Sequence, residues 1–139
     1  MSFRVDVWRH RARVVEAMGL LLLARLLIGF FPLRWWRSTL GSPERAAPHD
    51  SNFELTRPVI QAVNRACQRL PINMVCLPRA IAAQWMLGRR GHRSALVFGI
   101  SPGQESQSQL SLHAWVEAGD RILIGDDGKT YHRGMVLSR

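Results

Sequence analysis

Three residues in the second half of the chain could together perform covalent chemistry. Cys76 begins a run of helix-forming residues, His113 lies in a run of strand type, and Asp126 follows a second such run. A cysteine nucleophile needs a base that accepts its proton, and the base needs a third group that holds its ring and tautomer. These residue types, each in an element that suits its role, predict a Cys-His-Asp triad.

A helix predicted over residues 76–87 positions the nucleophile. Its alanine, leucine, methionine and glutamine residues favour a helix, Pro78 suits a first turn, and Gly88 is expected to end it. Backbone N–H groups and the positive end of the helix dipole favour a thiolate at the first position. The backbone N–H of Cys76 is the expected oxyanion donor, and Asn73 or another side chain before the cysteine is the weaker candidate for a second.

A predicted β-hairpin over residues 110–118 and 121–127 positions the base and its partner. With a two-residue loop and no bulge, His113 lies directly opposite Asp126, on the same face of the sheet. Asp127 then faces the other side. The register selects Asp126 as the partner of the imidazole, and a slip of one residue would reverse the choice.

The residues before the cysteine predict two helices and a loop. An apolar helix is expected over about 12–31, ended by Pro32, followed by a loop over 38–52. A second helix is expected over about 54–70, with apolar residues at helical spacing. Cys67 lies beside that apolar stripe, which predicts a buried or half-buried thiol and not a second nucleophile.

The first predicted helix could instead lie on a membrane or a partner. Its most apolar part, residues 17–31, has Arg25 in the middle and is shorter than the roughly 20 residues that span a bilayer. We expect a structural helix that packs on the domain. Trp35 and Trp36, which lie among arginines, keep a membrane-surface or partner-docking helix as the alternative.

The composition is that of a strongly basic protein. The chain has 19 Lys+Arg, 18 of them arginine, against 10 Asp+Glu, for a net charge of +9. Such a surface can engage nucleic acid, anionic lipid or an acidic peptide, or can simply be solvated. Two cysteines give no disulfide framework, which favours the cytoplasm. Neither a zinc pattern nor a phosphate loop is present in the sequence, so no metal or cofactor is expected.

Four blocks of sequence resemble the lasso-peptide biosynthesis B protein, a leader peptidase with a transglutaminase-like, papain-related core. The blocks are Cys76–Ala82, Gly91–Gly99, His113–Glu117 and Ile124–Asp126. The likeness is close over about residues 54–127 and less specific before that. Ala80 stands where serine is more often expected.

The resemblance implies an α+β fold in one domain, residues 1–139. Residues 1–52 would form a helical part and loop, and residues 53–139 the transglutaminase-like core, with the cysteine helix packed on a small antiparallel sheet. The implied activity is that of a cytoplasmic cysteine endopeptidase, free or at the inner membrane face, that removes the leader from a lasso precursor. Its implied partners are the precursor peptide, a separate leader-binding recognition element and an ATP-dependent lasso cyclase that acts next.

Two other functions stay open. One is a different transglutaminase-like amidase or acyltransferase activity, because the same acyl-enzyme serves hydrolysis and acyl transfer. The other is an arginine-rich module that binds nucleic acid or membrane and leaves the triad unused. Nucleic acid is not expected as a partner of the peptidase, and binding of the non-enzymatic kind would be salt-sensitive and indifferent to Cys76→Ala.

Overall fold

A computed structural model describes residues 2–40, 53–71, 76–100, 112–118, 121–125 and 132–138 of the 139-residue chain. The helices are α1 (Ser2–Phe30), α2 (Leu33–Trp36), a 3-10 helix (Arg37–Leu40), α3 (Phe53–Arg69) and α4 (Cys76–Arg89). The strands are β1 (Ala95–Ile100), β2 (Leu112–Ala118), β3 (Arg121–Ile124) and β4 (His132–Ser138). They form one antiparallel sheet in the order β3-β2-β1-β4. The expectation of an α+β fold is confirmed, and α4 packs on β2.

Helix α1 is longer than expected at its N-terminus. It begins at Ser2, whereas the expectation was a start near residue 12. Phe3, Val7 and Val14 lie three to four residues apart or at multiples of that spacing, and no glycine or proline interrupts this part. The predicted end is confirmed, because the helix stops at Phe30 and Pro32 follows in an extended conformation.

The outward side of α1 is apolar as well. Leu26 and Phe30, one turn apart, are 53% and 77% exposed, and Trp35 in α2 is 65% exposed. Trp36 is buried, and its indole Nε1 donates a hydrogen bond to the Phe31 carbonyl over 3.4 Å. The helices of the described segments do not combine the length and apolarity that a bilayer crossing needs. Docking of α1 on a membrane surface or a partner therefore stays a prediction.

Helix α3 carries the predicted inward stripe, and Val59, Val63 and Ala66 are buried. Cys67 is half-buried beside this stripe, as expected. On α4, Arg79 Nη2 donates a hydrogen bond to Asn64 Oδ1 over 2.7 Å. This bond ties the first turn of the cysteine helix to α3.

Helix α4 ends two residues later than expected. Gly88 lies within the helix, and the stop is at Gly91, which has φ +75°. The His92 N–H donates to the Leu87 carbonyl over 3.0 Å, and the Gly91 N–H donates to the Gly88 carbonyl over 3.1 Å. This pair of bonds around a left-handed glycine is a Schellman motif. The motif requires a left-handed backbone at this position, which glycine adopts readily, and the helix therefore ends at Gly91.

The hairpin of β2 and β3 is confirmed, but its uniform register is wrong. Glu117 pairs with Ile122, whereas Val116 pairs with Ile124, so Leu123 is an additional residue in β3. A bulge of this kind shifts every pair beyond it by one residue. The run Ile-Leu-Ile that contains the bulge is entirely apolar. It therefore has no polar residue whose position could reveal the bulge in the sequence.

Strand β4 has no counterpart among the sequence-based expectations. It pairs antiparallel with β1, and Leu137 lies opposite Leu96 in the core. Its apolar run is only Met135-Val136-Leu137, which is shorter than an ordinary strand signal. The strand forms because β1 offers it a free edge and a buried partner face.

Gln84 connects α4 to two other parts of the fold. Its fully buried amide Nε2 donates to the Leu40 carbonyl over 2.7 Å and to the Leu137 carbonyl over 2.9 Å. One side chain therefore donates a hydrogen bond to the end of the 3-10 helix and another to the edge strand β4.

Gln84→Met should lower the free energy of unfolding by about 1–3 kcal/mol, because it removes two buried hydrogen bonds. Gln61→Met is the matched control, since Gln61 is exposed on α3, and it should change stability by less than about 0.5 kcal/mol. Chemical unfolding of both variants measures the difference. Equal midpoints would contradict the linking role of Gln84.

Glu16 joins α1 to the C-terminal end of α4. Its carboxylate lies 2.8 Å from Arg89 Nη1 and 2.6 Å from Arg90 Nη2. The hydrogen bond from Arg90 is the main cause that holds the pKa of Glu16 below its ordinary value, and the charges of Arg90, Arg89 and Arg13 act in the same direction. Burial of the carboxyl acts against them. The ionised carboxylate thus stabilises the docking of α1.

Glu16→Gln should lower the free energy of unfolding by about 1 kcal/mol at pH 7. A carboxyl whose pKa is lowered by folding adds stability above its unfolded pKa, and this stability is lost as the pH falls through its folded pKa. Wild type and variant should therefore converge in acid, which unfolding curves from pH 7 to pH 3 would measure. Arg90→Gln should also lower the free energy of unfolding. If it does so by the same amount in wild type and in Glu16→Gln, the two residues are not coupled and the prediction is wrong.

Candidate active site

Cys76 is the first residue of α4, as the sequence predicted, and it is half-buried against the core. The first N–H groups of a helix have no partner within the helix. Those of the first turn of α4 therefore point toward the end at which Cys76 lies. Asn73, the candidate for a second oxyanion donor, lies outside the described residues, so its role stays a prediction.

His113 lies in β2, and a short hydrogen bond fixes its ring. Nε2 is 2.6 Å from the Gly125 carbonyl oxygen. A carbonyl can only accept, so Nε2 must carry the hydrogen. In the neutral imidazole the basic lone pair is therefore on Nδ1. This tautomer is the one in which Nδ1 can accept a proton.

Gly125 makes this hydrogen bond possible. Its φ of +95° lies in the region that favours glycine. A Cβ at this position would lie 3.0 Å from the Ala114 carbonyl oxygen and 3.0 Å from Trp115 Cβ. A side chain would therefore push β3 away from β2 and withdraw the carbonyl from His113. Gly125 had no role among the sequence-based expectations, although a glycine between a strand and two aspartates was a usable signal.

Trp115 and Glu117 extend the site along the same strand. Residues at a spacing of two share a face of a strand, so both lie on the face of His113. The rings of His113 and Trp115 are stacked, with centroids 5.9 Å apart and planes at 27°. Trp115 Nε1 donates to Glu117 Oε2 over 3.2 Å, and both residues are buried. The carboxylate thus holds the indole that supports the imidazole, a role that the sequence analysis missed.

Gly99 faces His113 across the sheet. It is buried in β1 directly opposite His113. Side chains at directly opposed positions are neighbours on one face of a sheet. Since glycine has no side chain, this position of β1 places no side-chain atom beside the imidazole.

The structure places Cys76 and His113 on two elements that are in contact, α4 and β2. The face of β2 that joins the core with α4 carries Ala114, Val116 and Ala118, and His113 alternates to the other face. Asp126 lies outside the described residues. Its selection rested on a uniform register, and the bulge between Val116 and Glu117 removes that ground.

The surroundings of Cys67 disfavour its thiolate. Burial raises the pKa of the Cys67 thiol, while the charge of Arg79 acts in the opposite direction with a smaller effect. A thiol held in its protonated form is a poor nucleophile. Among the described residues, no group of three His, Cys, Asp or Glu side chains could hold a metal ion.

The family of the chain follows from a comparison with protein families. Residues 18–136 match the model of the transglutaminase-like superfamily, which covers most of the chain. The protein therefore belongs to the transglutaminase-like superfamily. The comparisons with curated proteins and with solved structures gave no match.

At pH 7.5, Cys67 should react with iodoacetamide about tenfold more slowly in the folded protein than in guanidinium chloride, because the thiolate is the reactive form. Raising the pH toward the raised pKa of Cys67 should speed its alkylation. Mass-spectrometric mapping of the modified peptides measures each cysteine separately, and Cys76→Ala should leave the rate at Cys67 unchanged. Equal rates at Cys67 in the folded and unfolded chain would refute its protection.

Proposed function

We propose that the protein is a cysteine endopeptidase that removes the leader peptide from a lasso precursor. Membership of the transglutaminase-like superfamily suggests peptidase or amidase chemistry at a cysteine. The observation that carries the proposal is the hydrogen bond from His113 Nε2 to the Gly125 carbonyl, which sets up Nδ1 as a base. Cys76, the first residue of a helix that contacts β2, is the proposed nucleophile, and the approach of its Sγ to His113 Nδ1, on the other face of that strand, is part of the proposal.

In the first half of the proposed reaction, Cys76 Sγ attacks the carbonyl carbon of the scissile peptide bond. The thiol proton passes to His113 Nδ1, and an S–C bond forms as the carbonyl oxygen becomes an oxyanion. The N–H groups at the start of α4 stabilise that charge. The C–N bond then breaks, and Nδ1–H gives its proton to the leaving amine of the core peptide.

In the second half, water hydrolyses the thioester that links Cys76 to the leader. His113 Nδ1 accepts a proton from the water as its oxygen attacks the carbonyl carbon. The C–S bond breaks, and the proton returns to the thiolate. The products are a leader with a free carboxylate and a core peptide with a free amine, and the enzyme is regenerated.

Asp126 is proposed as the carboxylate that orients His113. The support is the resemblance of the Ile124-Gly125-Asp126 block, since the register no longer distinguishes it from Asp127. The Gly125 carbonyl takes part of the orienting role, because it already fixes the tautomer of the ring. Comparison of Asp126→Asn with Asp127→Asn identifies the carboxylate that matters.

The proposed substrate and partners follow the resemblance. The substrate is a lasso precursor, and the leader is delivered by a separate recognition element. The core peptide then passes to an ATP-dependent cyclase. We place the reaction in the cytoplasm, where the outward apolar side of α1 could rest on the inner membrane face.

The decisive experiment is mass spectrometry of a cognate lasso precursor incubated with the protein, with and without its recognition element. Wild type should release intact leader and core, whereas Cys76→Ala and His113→Ala should lose at least about 10³-fold in rate, because nucleophile and base act as a unit. Cys67→Ala is the matched control and should retain activity. A dependence on the recognition element would assign leader capture to that partner.

Cleavage by Cys76→Ala at the wild-type rate would refute the proposal. So would the absence of cleavage by folded, reduced wild-type protein together with the recognition element. Transfer of the leader to an added amine, without hydrolysis, would favour the acyltransferase alternative, since both reactions share the thioester.

A further inference from the structure

A second site candidate lies far from the triad in the sequence, between α1 and α3. The first half of α1 and the last turns of α3 enclose an open cleft of about 420 Å³. Phe3, Val7 and Val14 form its apolar side. Val14 is buried at the bottom, whereas Phe3 is 80% exposed at the rim.

The cleft is an extension of the core that no described element covers. The inward stripe of α1 contains Ala17, Leu21 and Ala24, which are fully buried against the rest of the domain. Phe3, Val7, His10 and Val14 continue this stripe toward the N-terminus at helical spacing. The first turns of α1 therefore present a core-type face beside the end of α3.

The polar lining of the cleft is mostly cationic. Arg11 contributes a guanidinium from α1, and Arg65 and Arg69 contribute two from successive turns of α3. Arg65 Nη1 lies 3.4 Å from His10 Nε2. Asp6 is the carboxylate in the lining. An excess of guanidinium groups over an apolar floor favours a ligand with carboxylates and apolar side chains, because the planar guanidinium matches the carboxylate.

The shape of the cleft and its connection to α4 indicate the occupant. A concave groove between two helices fits a chain segment and does not fit a flat bilayer. Arg69 precedes Cys76 by seven positions, and Asn64, the neighbour of Arg65, is bonded to Arg79 of the cysteine helix. A peptide that occupies the cleft would therefore lie on the helix that leads into the nucleophile.

We propose that this cleft binds an acidic segment of the peptide substrate, remote from the scissile bond and carrying an apolar side chain into the floor. The assignment of the segment to the substrate rests on the proposed peptidase function. We propose that the segment is held equally in the substrate and transition-state complexes, and such uniform binding acts on KM and not on kcat. It should weaken with salt, because the guanidinium groups are exposed.

The test uses the full chain with Cys76→Ala, so that no cleavage intervenes. The probe is a fluorescein-labelled peptide of twelve residues with alternating Glu and Leu, and its control has Gln in place of Glu. Fluorescence anisotropy should show that Arg65→Gln with Arg69→Gln raises the Kd of the acidic probe about tenfold. Arg57→Gln is the matched control, since Arg57 is exposed on α3 outside the cleft, and it should leave Kd within about twofold.

Equal binding of the Glu and Gln peptides would overturn the proposal, and so would a Kd that is indifferent to Arg65→Gln with Arg69→Gln. If this variant loses binding to phosphatidylglycerol vesicles but keeps binding to the peptide, the cleft is a lipid site and not a peptide site. With active enzyme and precursor, the same variant should raise KM and leave kcat unchanged. If wild type does not cleave the precursor but the acidic peptide still binds, the peptidase proposal is wrong, whereas the proposal of an acidic-peptide site in the cleft stands.

Discussion

The burial of α4 is the constraint on which the other elements depend. The helix packs against α1, α3 and the sheet, and its side chains from Ala80 to Leu87 are all buried. A helix buried on every side has no solvent to satisfy stray polar groups, so polar anchors must fix its position. Gln84 supplies one near the middle, Arg79 supplies one near the start, and the Schellman motif closes the end. Cys76 thus belongs to a helix that can neither slide nor rotate without breaking these hydrogen bonds.

The geometry at His113 depends on a backbone atom. The side chains that sequence reasoning can weigh are the cysteine, the histidine and the two aspartates. The group that fixes the imidazole tautomer is the carbonyl of Gly125, and every residue type has a carbonyl. Glycine matters here because it has no Cβ, and a Cβ at this position would keep the two strands apart.

The parts of the fold that the sequence predicted are those with strong periodic signals. The start of α4 at Cys76, the body of α3 and the strand character of β2 and β3 followed from composition and spacing. The bulge at Leu123 did not, because an uninterrupted apolar run satisfies either register equally. The end of α4 was misplaced because two glycines compete, and the hydrogen bonds of His92 decide in favour of Gly91.

The long reach of α1 has a consequence for biosynthesis. Its inward stripe is covered by α3 and α4, which the ribosome produces later. About 60 residues separate the end of α1 from the end of α4, which at roughly 5–20 residues per second takes on the order of 3 to 12 s. During that interval the inward stripe of a helix of 29 residues lacks its native partners. Each nascent chain therefore passes through a stage in which chaperone binding or aggregation competes with folding.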